Sequence, residues 1–160
     1  MATAADWQSL SSSAIARRHS GDIHGAIEEM TKAISLAKTI PNLAKEASVD
    51  LNYLADMHLE CNALEEAETA IREAIELSRP RYPSLLAANL WMLAEVQRLK
   101  GEHREALASA EEARHLYQEQ RHSHGVAQAE ELIKRIKAHS DPSAASKSGT
   151  TTTSLNQERR

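Results

Sequence analysis

The chain has no phenylalanine, and its 160 residues include only two tryptophans and three tyrosines. A core without many rings must be built from Leu, Ile and Ala, which suits closely packed helices. One cysteine, Cys61, excludes an internal disulfide framework and fits a reducing compartment. It ends a predicted helix with no basic neighbour or second thiol, and is read as unreactive. No stretch approaches the roughly 18 apolar residues that cross a bilayer, so no membrane span is expected. The N-terminal MATAADWQSL lacks a basic region followed by an apolar run, so it is no secretory signal. No Asn-x-Ser/Thr acceptor occurs either, and an intracellular, cytoplasmic protein is expected.

Excess positive charge is missing as well. The formal charge is −4, so there is no basic footprint and nucleic acid is not expected as a main partner. G-x-G-x-x-G, G-x-x-x-x-G-K-[ST], H-E-x-x-H, C-x-x-C and G-x-S-x-G are all absent. The reading is therefore non-enzymatic, with no catalytic residue, cofactor or metal site. Among eight histidines, His115 with Glu119 and the nearby His122 and His124 are the nearest approach to a metal site, but solvated helix-end histidines explain them. His58 falls on an apolar stripe and is read as a packing residue.

What the chain does have is a repeat. Between Leu51 and Leu77, the residues Leu51, Leu54, Ala55 and His58 form one helical stripe, and Leu64, Ala67, Ile71, Ala74 and Leu77 form a second after a turn at Asn62. The same types recur before and after. The early leucine is Leu10, Leu51 and Leu90, and the small residue four later is Ala14, Ala55 and Ala94. The turn residue is Gly21, Asn62 and Gly101, spaced 41 and 39 residues apart. Paired alanines follow at Ala26/Ala33, Ala67/Ala74 and Ala106/Ala113, and each unit closes at Leu36, Leu77 or Leu116. Glycine and asparagine reach a left-handed backbone cheaply, which supports the alignment. A helical hairpin cannot bury its own apolar face, so a repeat of this length means a stacked array.

These residues resemble the tetratricopeptide repeat (TPR) family: a small residue midway along the first helix, Gly or Asn at the turn, and two alanines seven apart on the second helix. Between those alanines stand Met30, Ile71 and Ala110, where the family often has a large apolar residue. The resemblance covers about residues 7 to 120. Each unit is longer than the family's usual repeat and is similar to the repeats of kinesin light chains. Ser13 replaces an expected leucine, and the family's aromatic and proline signatures are thin. HEAT and armadillo repeats share the length but fit the double alanines less well.

The fold expected is all-α, a right-handed α-solenoid of helix-turn-helix repeats with about seven helices. Helices are predicted over 7–19, 23–39, 43–61, 63–78, 84–100 and 103–120. Ser84 is read as an N-cap, Pro80 and Pro83 as brackets of a rigid connection, and the Ser11–Ser13 run as a weakening of the first helix. His122-Ser123-His124-Gly125 is read as a break, followed by an amphipathic helix on Val126, Ala129, Leu132, Ile133 and Ile136. That helix is half a repeat used as a cap with a polar back. Three parts result: a fraying N-terminus over 1–6, a TPR-like domain over 7–139, and a disordered Ser/Thr-rich tail over 140–160.

The resemblance also implies a site. In TPR arrays the first helix of each repeat lines a concave groove that takes a peptide or a helix of a partner protein. Here that face carries Ile15, Arg18 and His19, then Asn52, Asp56 and Leu59, then Trp91, Glu95 and Arg98. Trp91 beside Arg98 is a pair typical of interface hot spots, and Asn52 can both donate to and accept from a partner's backbone. The equal alternative is that Trp91 packs on the next repeat while the charges are simply solvated. TPR domains that hold the C-terminal carboxylates of heat-shock chaperones use Lys, Asn and Arg where this chain has Ser11, Ile15, Tyr53, Ala88 and Met92, so that ligand is not expected. Acidic clusters at Glu28/Glu29, Glu65/Glu66/Glu68 and Glu111/Glu112 read as solvated outer faces. The expected function is an interaction adaptor. The alternative is a structural subunit or self-associating module, a homo-oligomer joined through the ends of the array.

Overall fold

A computed structural model of the chain describes residues 3–79 and 81–140. Residues 1–2, Pro80 and residues 141–160 lie outside the described residues, and Ser140, the first residue of the tail expected over 140–160, ends the last helix. Among the described residues seven helices follow one another: α1 Ala4–His19, α2 Ile23–Thr39, α3 Ala44–Glu60, α4 Leu64–Ser78, α5 Pro83–Lys100, α6 His103–Glu119 and α7 Ser123–Ser140. No strand occurs among the described residues.

Local chemistry fixes the boundaries. Helix α1 begins three residues before the predicted start, because Thr3 and Asp6 form a capping box. The Thr3 hydroxyl accepts from the Asp6 amide at 3.3 Å, and the Asp6 carboxylate accepts from the Thr3 amide at 2.7 Å. Residues 4–6, expected to fray, are thus its first turn. The turns inside the three hairpins sit at Gly21, Asn62 and Gly101, with φ of 87°, 56° and 82°. All three are the left-handed positions that the residue types pointed to. At α5 the expected cap is displaced: Tyr82 holds the N-cap and Pro83 the first helical turn, where its missing N–H costs nothing.

The predicted break at residues 122–125 is narrower than expected. Only Gln120 to His122 turn, with Arg121 at φ 53°, and Ser123 already begins α7. The His122 ring Nδ1 accepts from the Gly125 amide at 2.9 Å and so caps the new helix. Gly125 is a contact residue and not a breaker. A Cβ built there would lie 2.5 Å from the Tyr117 ring, which the His122 ring stacks on from 5.3 Å. Alanine in place of a helical glycine normally gains about 1 kcal/mol. Gly125→Ala is expected to do the reverse, losing about 1–3 kcal/mol because Tyr117 must shift, and a thermal melt reads the sign directly.

The repeat pattern maps onto the packing. Each helix lies against the next, and α3 and α7 also touch α5. All nine pattern alanines, from Ala14 through Ala67 and Ala74 to Ala113, are fully buried, as are Met30, Ile71 and Ala110 between them. Small residues let neighbouring helices approach, and the longer Leu and Ile side chains fill the space between. A polar centre lies in the middle of the core. Asn89 on α5 accepts from Asn52 on α3 at 2.8 Å, while its amide nitrogen reaches the Ser48 hydroxyl, the Ser78 hydroxyl and the Ala74 carbonyl, each at 3.1 Å. Three helices are tied there at a single buried side chain. At the C-terminal end α7 buries Ala129, Leu132, Ile133 and Ile136 and exposes Glu130, Glu131, Lys134, Arg135 and Lys137.

Candidate functional site

The odd-numbered helices α1, α3 and α5 carry all nine residues predicted for the groove, and α7 lies against α5. The structure uses the nine unequally. Arg18 on α1 reaches α3, pairing with Asp56 at 2.5 Å and with Glu60. Glu95 pairs with Arg98 at 2.8 Å on its own helix and with Arg135 of α7 at 3.0 Å. Burial alone would raise the Glu95 carboxyl, but the two guanidiniums outweigh it and hold it below its ordinary range. The charges expected to meet a partner are thus largely matched to one another, and they tie neighbouring repeats together.

Other expectations are changed by packing. Trp91 is half-buried against α7, and its indole N–H donates to the Gln128 carbonyl at 3.4 Å. It packs on the next element, and only part of the ring remains as the wall of a 320 Å³ cavity shared with His124, Gln128 and Arg135. Asn52 spends its amide on Asn89, so it is not the free two-way clamp expected. Leu59 is half-buried and His19 is exposed. Ile15 lines a second cavity, of 220 Å³, between α1 and α3.

That second cavity is the part of the face least visible in the sequence. Trp7 on α1 and Val49 and Tyr53 on α3 form its walls with Ile15, and Tyr53 is 41% exposed. Asp50 lies beneath, 3% exposed, accepting from the Trp7 indole N–H at 2.6 Å and from the Ser11 hydroxyl at 2.8 Å. The Ser11 hydroxyl is therefore satisfied inside the fold, and the serine run does not prevent a full α1. The available signal was Trp7 itself, one of two tryptophans, three residues before the first pattern leucine.

Burial pushes the Asp50 carboxyl up, its two hydrogen bonds oppose this, and the nearby Glu46 charge adds to the rise. A carboxyl with a raised folded-state pKa holds its proton longer in the fold than in the open chain. Stability is then highest below the ordinary value of 3.8 and falls as pH rises from there to the raised value, levelling off above it. Asp50→Asn preserves both hydrogen bonds, since the amide oxygen can accept from Trp7 and its NH₂ donate to Ser11. Denaturation midpoints measured from pH 4 to 7 should show the variant lacking the wild-type decline.

The even-numbered helices present a different surface. A 710 Å³ groove runs over α5 between α4 and α6, floored by Ile75, Leu90 and Leu93. Its rim is salted with both signs, bridged by Arg79 and Glu112 at 3.2 Å. A 440 Å³ groove over α3 holds His58, half-buried, whose imidazole burial pushes down. The acidic clusters of this side are not all free. Lys100 on α5 reaches Glu65 at 3.0 Å and Glu68 at 2.5 Å on α4, and these carboxylates raise its pKa. Among the described residues no three His, Cys, Asp or Glu side chains gather to hold a metal ion, and no helix is long and apolar enough to cross a membrane.

Stacked helical hairpins, with left-handed turns in register and buried alanines on every helix, define an α-helical repeat protein of the TPR type. Residues 2–157 match the family model described as the MalT-like TPR region, and the chain belongs to that family. Solved structures share its fold. The apo form of RapI aligns over 84% of this chain and 37% of its own, at TM-score 0.79 and 11% identity. BtubC (BKLC) from P. vanneervenii aligns over 97% of this chain and 71% of its own, at TM-score 0.64 and 17% identity. The nearly identical TPR-like repeats of a Podosopora anserina kinesin light chain align over 88% of this chain and 79% of theirs, at TM-score 0.57 and 18% identity. This chain therefore spans little more than a third of RapI. No curated protein sequence matches it.

Proposed function

We propose that the chain is a non-catalytic adaptor of the cytoplasm that receives a peptide or helical segment of a partner protein along its odd-numbered helices. The observation that carries this reading is the placement of the two tryptophans. Trp7 and Trp91 each wall a cavity bounded by odd-numbered helices alone, one between α1 and α3 and one between α5 and α7. Partly exposed aromatic walls beside a cavity are what interface hot spots are made of. Between them the charges of Arg18, Asp56, Glu60, Glu95 and Arg98 are paired internally. Recognition then falls on apolar anchors at the two cavities, with the ion pairs fixing the shape of the face.

A second reading, a structural subunit held through the even-numbered helices, draws on the larger groove over α5. Affinity capture with three full-length baits separates the two. The wild type is compared with Tyr53→Ala/Ala127→Arg, which alters both odd-face cavities at exposed positions, and with Ala108→Arg, which fills the groove on the other side. A prey lost with the first variant and kept with the second supports the adaptor. The opposite pattern transfers binding to the even face.

A further inference from the structure

The cavity between α1 and α3 sets apolar walls beside a pair of carboxyl groups. Its walls are apolar, from Trp7, Ile15 and Tyr53, and it is small: 220 Å³ equals the liquid volume of about seven waters. That suits a single long side chain and not a helix. Two carboxylates of successive turns of α3, Glu46 and Asp50, lie in the same lining. Asp50 is satisfied by Trp7 and Ser11, but Glu46 is not: its Oε2 is shut off from solvent with no hydrogen-bond partner. Isolated buried carboxylate oxygens are costly unless a donor or a cation meets them. The terminal torsion of glutamate is soft and two-fold, so a small rotation turns that oxygen toward an incoming group. Lys45, the one basic residue of the lining, is exposed, and the other polar groups of the lining are Ser11 and the two carboxyls.

We infer that this cavity is the anchor site for a lysine or arginine side chain presented by the partner segment. The apolar stem lies against Trp7, Ile15 and Tyr53, and the cationic tip meets Glu46 above Asp50. Long basic side chains lay their stems along apolar surface and keep the charged head in a polar environment, and a guanidinium also gains from the faces of Trp7 and Tyr53. The assignment rests on the odd-helix adaptor reading and specifies what the partner must carry: a basic residue, in contrast to the acidic tails that carboxylate-holding repeats take.

The test uses the whole chain and small probes. The two indole N–H resonances, Trp7 in this cavity and Trp91 in the other, are followed by two-dimensional NMR during titration with N-acetyl-arginine methylamide, its lysine analogue and N-acetyl-citrulline methylamide. Citrulline keeps the length and shape of arginine but not its charge. The expected result is a saturable shift of Trp7 with arginine or lysine, little with citrulline, and no matching shift of Trp91. Glu46→Gln should weaken the arginine titration about tenfold, the worth of one charge-assisted hydrogen bond. A Trp7 resonance that ignores both cations, or follows citrulline equally well, overturns the assignment without need of a variant. If Trp7 fails to respond while Tyr53→Ala/Ala127→Arg still loses its prey, the anchor falls and the adaptor stands. If Trp7 titrates as expected but that variant keeps its prey, the adaptor reading is the one that fails.

Discussion

Asn89→Asp should destabilise the array by about 3 kcal/mol or more at neutral pH, although it changes one NH₂ for one oxygen. The Asn89 amide donates toward the Ala74 carbonyl and two serine hydroxyls from a site that is 2% exposed. An aspartate would face that carbonyl with a second acceptor and bring a desolvated charge into the core. At about 3 °C per kcal/mol for a chain of this size, the midpoint should fall by roughly 10 °C. The loss should shrink on acidification toward the ordinary aspartate range, because a protonated carboxyl recovers one donor. Asn89→Leu is the informative control. Ser48 still donates to the Ala74 carbonyl at 2.9 Å and Ser78 to the Ile75 carbonyl at 3.2 Å, so few groups are orphaned. If leucine costs as much as aspartate, the site matters for shape and not for its hydrogen bonds.

Ala67→Leu and Ala74→Leu should each cost about 1–3 kcal/mol by overpacking, visible as melting midpoints lowered by several degrees. Both alanines are fully buried on α4. Ala74 also lies beside the polar centre, since its carbonyl is the shared acceptor of Ser48 and Asn89. A leucine there has no free volume to enter without moving α3 or α5, so Ala74→Leu should be the worse of the pair. Equal, unchanged midpoints for both would contradict the helix pairing described above.

The repeat was legible because it is written in residue types with few alternatives. Small residues at helix contacts and Gly or Asn at left-handed turns are dictated by backbone approach and by φ, and both are local. The capping box at Thr3 and Asp6 is a local signal too, and it sets the start of α1 earlier than the apolar pattern does. Gly125 defeats a local reading, because a glycine in a helix looks like a breaker until the ring of Tyr117 is seen to need its space. The candidate site was less legible for a different reason. Arg18 and Glu95 face the predicted side, but Asp56 and Arg135, which pair with them, stand a whole repeat further along the chain. No periodicity announces that two such charges will neutralise each other. Asp50 shows the limit most clearly: within α3 it is one more acid, and only α1 lying across it makes it a buried acceptor for Trp7 and Ser11.

Contacts in this molecule run between elements that are adjacent in the chain, or one removed from it. The entropy of closing such short loops is small and grows slowly with length, so topology of this kind belongs with fast folding and low barriers. Openings should also be graded and not all-or-none. Helix α1 is held by α2 and by a few polar bridges to α3, whereas α3, α4 and α5 share the Asn89 centre and have neighbours on both flanks. Amide protons of α3 to α5 should therefore exchange slowest and those of α1 soonest. A partner clasped between α1 and α3 would then do more than occupy a surface: it would splint the least secure joint of the stack, and its binding would be registered as protection at the N-terminal end.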